Sequence, residues 1–280
     1  MPESASASRA TEATFSGLLN LEDHGDGRYR GVCHEGAPAR AFGGQVAAQA
    51  FTAAAKTAPA GQIPASMHAY FAKAATAGEP VDYVVTATGD GNSVSHRSVT
   101  ALQRGRTVLV LLASFHRPED GPTRRRTPAG PGDPPPDQDP GDRPGRKSVR
   151  ELAVEQVAAA PDGSVEDPSL GHYARWMRAR SAIGDEPALQ AGAVIYMADM
   201  VLARAVLQPH VRDSEGSARA ASLDHSVWFH SEVRADEWLL FEATSPVMNG
   251  SRGLAVAHIY SESGALVATG AQEVQARQLG

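Results

Sequence analysis

The sequence is poor in cysteine and in lysine. Among its 280 residues, Cys33 is the single cysteine, so no disulfide can form within the chain. Such low cysteine usage is typical of a protein from a reducing cytosol. Only three of the 26 basic residues are lysines. We attribute the arginine excess, together with the many Ala, Gly and Pro residues, to a GC-rich bacterial coding sequence and infer no function from it.

The chain also lacks a strong positive charge and recognisable targeting or membrane segments. Its net charge is −6 and its isoelectric point is about 5.9, which argues against a general nucleic-acid-binding protein. The first residues contain neither the basic start nor the apolar run of a signal peptide. We also expect no apolar stretch of membrane-spanning length. These features predict a cytoplasmic protein that handles small molecules, with no nucleic-acid partner and no membrane span.

Motifs of several large enzyme classes are absent. The sequence contains no G-x-S-x-G nucleophile elbow, no Walker A sequence, no complete dinucleotide-binding fingerprint and no H-E-x-x-H. Its ten histidines show no spacing typical of metal ligands. Serine hydrolases of that type, P-loop enzymes, Rossmann oxidoreductases and zinc hydrolases are therefore disfavoured. We expect neither a metal nor a redox cofactor.

One carboxylate stands in an otherwise apolar segment. Residues 187–203 read PALQAGAVIYMADMVLA, and Asp199 is the only formally charged residue among them. A helix that is apolar nearly all round is a buried helix. An ionised carboxylate there costs several kcal/mol unless partners compensate. Asp199 is therefore a candidate catalytic group. The alternative is an aspartate that caps a neighbouring loop or pairs with an arginine.

The order of predicted elements divides the chain into two repeats. Residues 1–14 are predicted to form a flexible tail, and residues 117–147 a linker in which 14 of 31 positions are Pro or Gly. Arg124, Arg125 and Arg126 in this linker form either a solvated cluster or a contact for phosphates. The repeats, 15–116 and 148–280, each contain one long helix followed by strands, which indicates an α+β fold.

The predicted elements share an order and some local sequence between the repeats. Residues 82–85 resemble residues 237–240, and an arginine follows at the same offset in both halves. The continuous apolar run 108–112 predicts a central strand covered on both faces. In the first repeat we predict a helix at 44–57 and strands at 28–32, 63–73, 81–88, 94–103 and 107–116. In the second we predict a helix at 187–207 and strands at 218–230, 237–244, 253–260 and 265–275.

An ordered set of motifs carries a family resemblance. The motifs are F-G-G-Q at 42–45, H-A-Y-F at 68–71, D-G-N-S-V-S-H-R at 90–97, D-H-S-V-W-F-H at 224–230, S-R-G-L at 251–254 and Q-E at 272–273. The set closely resembles the type II acyl-CoA thioesterases (TesB-like). The resemblance implies a double hotdog fold, in which each repeat packs a long helix on a mostly antiparallel β-sheet. It also implies hydrolysis of acyl-CoA to a free acid and CoA.

The resemblance assigns roles to specific residues. In this family an aspartate, a threonine and a glutamine hold the attacking water, and the matching positions here are Asp199, Ser222 and Gln272. The resemblance thus selects the aspartate already found from burial. Coenzyme A enters as part of the substrate, and no other cofactor is implied. The residues expected to contact substrate are Gly43, Gly44, Gln45, His68, Tyr70, Arg97 and Trp228.

Several departures from the family pattern leave alternatives open. Ser222 replaces the family threonine, residues 72–75 read A-K-A-A instead of L-R-P-G, and Val274 replaces a glycine. The identity of the acyl group therefore stays open. An acyltransferase with an alcohol acceptor and a non-catalytic acyl-thioester-binding protein are alternative functions. We predict that His68 and His225 are core residues, and that Trp228 belongs to the core or the acyl pocket. We expect a homo-oligomer formed through exposed sheet edges or faces.

Overall fold

A computed structural model of the chain describes residues 14–124, 148–159, 171–211 and 218–278. The expected tail up to residue 13, and Arg125 and Arg126 of the expected linker, lie outside the described residues. The helices are α1 (Phe15–Leu18), α2 (Gly43–Ala55), α3 (Val149–Ala153) and α4 (Pro187–Val211). The strands are β1 (Glu22–Asp23), β2 (Arg28–Val32), β3 (Glu35–Ala37), β4 (Arg40–Ala41), β5 (Ile63–Phe71), β6 (Pro80–Asp90), β7 (Val94–Gln103), β8 (Arg106–His116), β9 (Val154–Ala158), β10 (Tyr173–Ala179), β11 (Ala218–Ser222), β12 (Asp224–Phe229), β13 (Leu239–Asn249), β14 (Arg252–Ser261) and β15 (Leu266–Gln278).

The described strands of both repeats form one antiparallel sheet, except β3 and β4, which pair with each other in a separate two-stranded sheet. The order of the large sheet is β1-β2-β6-β7-β8-β5-β12-β15-β14-β13-β10-β9, with β11 paired to β15 outside this path. The repeats join where β5 pairs with β12, with His68 opposite Ser226. Each long helix covers one half of the same sheet face, as the α+β prediction requires.

Helices α2 and α4 pack against each other in opposite directions. The amide of Gly44, at the start of α2, lies beside Asp199 in the middle of α4. Gly192, earlier in α4, lies beside Thr52, near the end of α2, and a Cβ on Gly192 would come within 3.3 Å of the Thr52 hydroxyl. Small residues at this contact allow the two helix backbones to approach closely.

Helix α4 is the buried helix that its composition predicts, although one expectation about its length is wrong. Residues Pro187–Gln208 are long and apolar enough to cross a membrane by length and composition alone. The expectation of no stretch of that length is therefore wrong. Most of this segment is buried inside the protein, as in the core helix of a globular domain.

The structure divides or adds strands where the sequence pattern is ambiguous. The strand predicted at 218–230 is interrupted at Leu223, where the chain leaves an edge beside β15 and continues between β15 and β5. Strands β9 and β10 were not predicted. In β10, Arg175 lies over the ring of Tyr173, and Arg178 lies over the ring of Trp238 in the neighbouring chain segment. Because the strand contains these arginines, the polarity pattern of the sequence does not indicate that the strand is buried.

The outer face of the sheet corrects three expectations about burial. Within the run 108–112, Leu109 and Leu111 are buried but Leu112 is 54% exposed, so in a single chain the strand is covered on one face only. Trp228 is 39% exposed and His68 is exposed, so neither is a core residue. Successive strand residues point to opposite faces, and the register places these side chains away from the helices.

Candidate active site

Asp199 lies at the meeting point of both repeats and accepts three hydrogen bonds. Its carboxylate is almost fully buried, at 4% exposure. Oδ1 accepts from Gln272 Nε2 at 2.5 Å and from Ser222 Oγ at 3.3 Å, and Oδ2 accepts from the backbone amide of Gly44 at 3.0 Å. No cation pairs with Asp199 in the part of the chain that the structure describes. Neutral donors thus provide the compensation that a buried carboxylate requires.

Each donor reaches Asp199 because of a local feature of the backbone. The break at Leu223 between β11 and β12 turns Ser222 toward α4, and Asp224 Oδ1 holds the break by accepting from Glu273 N at 2.7 Å. Gln272 projects from the inner face of β15 and is fully buried. A Cβ on Gly44 would lie 2.7 Å from the Phe42 ring and 2.9 Å from the Asp199 Cβ, so only glycine fits there.

An apolar cavity opens beside the carboxylate. Its volume is about 410 Å³, and Asp199 and Ser222 form part of its wall. Gly43, the first residue of α2, also lines it, and an N–H in the first turn of a helix has no partner within that helix. The apolar wall includes Phe42, Val46, Phe71, Val108, Ala203, Ala220, Leu223 and Val274.

An aromatic cluster supports the start of α2. Tyr196, one turn before Asp199, lies with its hydroxyl 2.7 Å from His34 Nε2, and the His34 ring stacks on Phe42. Burial raises the pKa of Tyr196 well above its ordinary value and lowers the pKa of His34. Both groups are therefore neutral at pH 7. Sequence reasoning missed this pair, although a tyrosine three residues before the buried aspartate was a usable signal.

Two further titratable groups in the core are unsuited to catalysis. His225 is buried as predicted, with Nε2 at 3.1 Å from the Ile195 carbonyl. Burial lowers its pKa, while the nearby Asp199 charge partly opposes this effect, and the ring is neutral at pH 7. Burial raises the pKa of the Cys33 thiol to about 12. The thiol is therefore no nucleophile at neutral pH.

Two of the expected substrate-binding residues make structural contacts within the chain. Gln45 is a buried residue of α2, and its side chain donates to the Leu18 carbonyl at 2.9 Å and accepts from His34 N at 2.8 Å. Arg97 is buried at the opposite end of α2, where it donates to both oxygens of Thr57 and forms an ion pair with Asp90. Neither lines the cavity beside Asp199. Their polar groups are already bound within the protein, and their expected contact with substrate stays a prediction.

Three other expected substrate-binding residues lie on the outer face of the sheet. Tyr70 is 70% exposed, and His68 and Trp228 are in edge-to-face contact beside it with their centroids 5.0 Å apart. Their buried neighbours in the strands face the helices, so these side chains point away from the cavity. Substrate contact by these three residues stays a prediction, while Gly43 and Gly44 lie beside Asp199. Among the described residues no group of three or more His, Cys, Asp or Glu could hold a metal ion.

Comparisons with known proteins identify the family. Residues 34–116 match the acyl-CoA thioesterase N-terminal domain, and residues 128–276 match the acyl-CoA thioesterase C-terminal domain. The chain is 35% identical to acyl-coenzyme A thioesterase 8 of Homo sapiens, over 91% of this chain and 86% of that protein. It is 30% identical to acyl-CoA thioesterase 2 of Haemophilus influenzae, over 91% of this chain and 94% of that protein.

Solved structures agree with this result. The acyl-CoA thioesterase II TesB2 from Mycobacterium marinum superposes with a TM-score of 0.82 and 32% identity, covering 95% of this chain and 99% of that one. A protein with a hot dog fold from Alicyclobacillus acidocaldarius superposes with a TM-score of 0.76 at 17% identity and shares the fold alone. The double hotdog fold is thus confirmed. The chain belongs to the TesB-like acyl-CoA thioesterase family and is a thioester hydrolase.

Proposed function

We propose that this chain hydrolyses acyl-CoA thioesters, with Asp199 as the general base and Ser222 and Gln272 as the groups that orient the attacking water. The observation that carries the proposal is the convergence of three donors on one buried carboxylate in the wall of an apolar cavity. A carboxylate has about four acceptor positions, so Asp199 retains capacity for a water after three hydrogen bonds.

The proposed step balances without a metal or a covalent enzyme intermediate. Asp199 takes a proton from the water, and the water oxygen bonds to the thioester carbonyl carbon. The tetrahedral oxyanion then collapses, the carbon–sulfur bond breaks, and Asp199 returns the proton to the departing CoA thiolate. The products are the free carboxylic acid and CoA. The N–H of Gly43, at the cavity wall, is our candidate donor to the oxyanion.

The apolar side of the cavity is the proposed acyl site. Phe42, Phe71 and Val108 form walls that favour an acyl chain over a polar group. A structural salt bridge that held Asp199 away from any cavity would favour the alternative of a non-catalytic acyl-thioester-binding protein; Asp199 instead lines the cavity and has no ion pair among the described residues. The acyltransferase alternative would use the same groups on an alcohol, and no contact of the described residues favours an alcohol over water.

We further propose that two copies of the chain associate through the outer face of the sheet. The outer patch is defined as Tyr70, Val110, Leu112 and Trp228, which are all exposed and lie on the adjacent strands β5, β8 and β12. The run 108–112 is apolar on both faces, a composition typical of a strand that is covered on both sides. A second copy placed on this face would provide the missing cover.

A single substitution tests the catalytic proposal. Asp199→Asn retains the size of the side chain but removes the base, so we expect thiol release from an acyl-CoA panel to fall about 10²- to 10⁴-fold. Asp82→Asn, which removes a half-exposed carboxylate that pairs with Arg30, is the matched control and should retain the parent rate. Equal rates for Asp199→Asn and the parent would reject the assigned base. Adding alcohols to the same assay reports any transferase activity as ester formation.

A further inference from the structure

A second, polar groove lies directly beside the acyl cavity. It has a volume of about 490 Å³ and runs between the start of α3, strand β10 and helix α4. Arg150 projects into it from α3 and Arg204 from α4, with Tyr173 at its base. Arg204 is exposed and has no acidic partner within the described ranges. The groove thus presents two guanidinium groups to solvent.

Two contacts join the groove to the site of the proposed chemistry. Arg150 Nη2 donates to the carbonyl of Gly36, which lines the acyl cavity, at 3.2 Å, and its guanidinium lies 5.1 Å from the centre of the Phe42 ring. On α4, Asp199 faces the acyl cavity while Met200, the next residue, faces the groove. The cavity and the groove therefore lie on neighbouring faces of α4.

The charges of the groove favour an anion. The one acidic residue among its described lining residues, Glu151, already accepts hydrogen bonds from the backbone amide and the hydroxyl of Ser148, at 2.7 and 2.8 Å. Two more exposed cations, Arg40 and Lys73, line the mouth of the acyl cavity. Guanidinium groups match the geometry of phosphate oxygens and bind them through two parallel hydrogen bonds.

We infer that this groove binds the phosphates of the CoA part of the substrate, with Arg204 and Arg150 as the principal contacts. The inference rests on the proposed function, because it assumes a CoA thioester whose acyl group occupies the cavity beside Asp199. The pantetheine arm separates the phosphates from the thioester, so the phosphates would be bound outside the acyl cavity. Arg204 lies five residues beyond Asp199, which is about 7.5 Å along the helix axis, and its side chain extends farther out.

Two thioesters that share one acyl group test the inference. One is the acyl-CoA, and the other is the N-acetylcysteamine thioester, which lacks the phosphates. For Arg204→Gln we expect KM for the acyl-CoA to rise about tenfold with kcat little changed, since a charge-assisted hydrogen bond of about 1.5 kcal/mol is lost. KM for the N-acetylcysteamine thioester should not change. Arg204→Glu should raise KM for the acyl-CoA further, and Arg28→Gln, an exposed arginine on β2, is the matched control.

Binding of free CoA gives a readout that does not depend on hydrolysis. Calorimetry should show CoA binding to the parent, about tenfold weaker binding to Arg204→Gln, and no effect of Arg28→Gln. Equal CoA affinity of the parent and Arg204→Gln would overturn the inference, as would an equal rise in KM for both thioesters. If the parent binds CoA through Arg204 but hydrolyses no acyl-CoA, the proposed function fails while the groove assignment stands.

Discussion

The carboxamide of Gln272 donates to Asp199 through its nitrogen, and its oxygen has no hydrogen-bond partner among the described residues. Nε2 lies 2.5 Å from Asp199 Oδ1, whereas Oε1 is buried and accepts no hydrogen bond from the described residues. A buried amide oxygen in this state needs a donor. A water that donates to both Gln272 Oε1 and Asp199 would satisfy it, and such a water has the position that the proposed reaction requires.

Replacing this amide with a carboxyl should disable the site at neutral pH. Gln272→Glu places a second carboxyl against Asp199, and the two share one proton at neutral pH, so Asp199 is no longer a free base there. We expect kcat at pH 7 to fall about 10²-fold and the rate to recover only at higher pH. Gln275→Glu, which lies on the opposite face of the same strand, is the control. A pH–rate profile of Gln272→Glu that superposes on that of the parent would contradict the proposed role.

Catalytic activity should depend on the presence of a hydroxyl at position 222 and not on whether the residue is serine or threonine. Ser222→Ala removes a donor 3.3 Å from Asp199 Oδ1, and we expect kcat/KM to fall about tenfold. Ser222→Thr retains the hydroxyl and adds a methyl that restricts its rotamers, so activity should equal or exceed that of the parent. Steady-state thiol release measures both. If Ser222→Ala retains full activity, the serine does not orient the water.

The two glycines at the start of α2 should respond differently to the same substitution. A Cβ at Gly44 would clash with the Phe42 ring and the Asp199 Cβ, so Gly44→Ala should reduce the free energy of unfolding by about 1–3 kcal/mol and lower activity. A Cβ at Gly43 would meet nothing closer than the Phe71 ring at 3.3 Å, and this ring lines the cavity, where it has space to shift by a few tenths of an ångström. Gly43→Ala should therefore retain the parent stability in chemical denaturation. Equal losses for both variants would argue against the close approach at Gly44.

The buried neutral His225 should make the protein less stable in mild acid. Burial holds its folded-state pKa below the ordinary value of 6.5, so between these two pKa values the unfolded chain binds a proton that the folded chain does not. The free energy of unfolding should therefore decrease as the pH falls below about 6.5. His225→Gln can still donate to Ile195 and does not titrate, so its stability should depend less on pH. Denaturation at pH 8 measures the cost of the substitution itself, and identical pH slopes below 6.5 would refute the assignment.

A charge in the outer patch should dissociate the proposed oligomer. Leu112→Lys places an ammonium group in the outer patch, together with Tyr70, Val110 and Trp228. Burying this charge in an interface would oppose association. Light scattering should show an oligomer for the parent and a monomer for this variant. Val247→Lys replaces another exposed apolar residue, outside the patch, and should leave the mass unchanged. A monomeric parent, or an unchanged oligomer in Leu112→Lys, would contradict association through this face.

Local sequence patterns predicted most helices and strands, because each pattern depends only on residues that are close together in the chain. The apolar composition of residues 187–207 predicted α4, and strand β2 has the predicted bounds. The division of the strand at Leu223 depends on pairing with both β15 and β5, which are distant in sequence. Likewise, the exposure of Leu112 and Trp228 depends on which side of the sheet the helices cover, and composition alone does not encode that choice.

The candidate site shows the same division between local and distant information. The sequence alone determined that Asp199 is a buried carboxylate in need of partners, because one charge in an apolar helix has that cost in any fold. Only the tertiary structure decided that these partners are Gly44, Ser222 and Gln272, since they come from elements far apart in the chain that meet only after the repeats pack. It also separated His68, Tyr70 and Trp228 from the cavity, because the direction of a strand side chain is set by register and by the covered face.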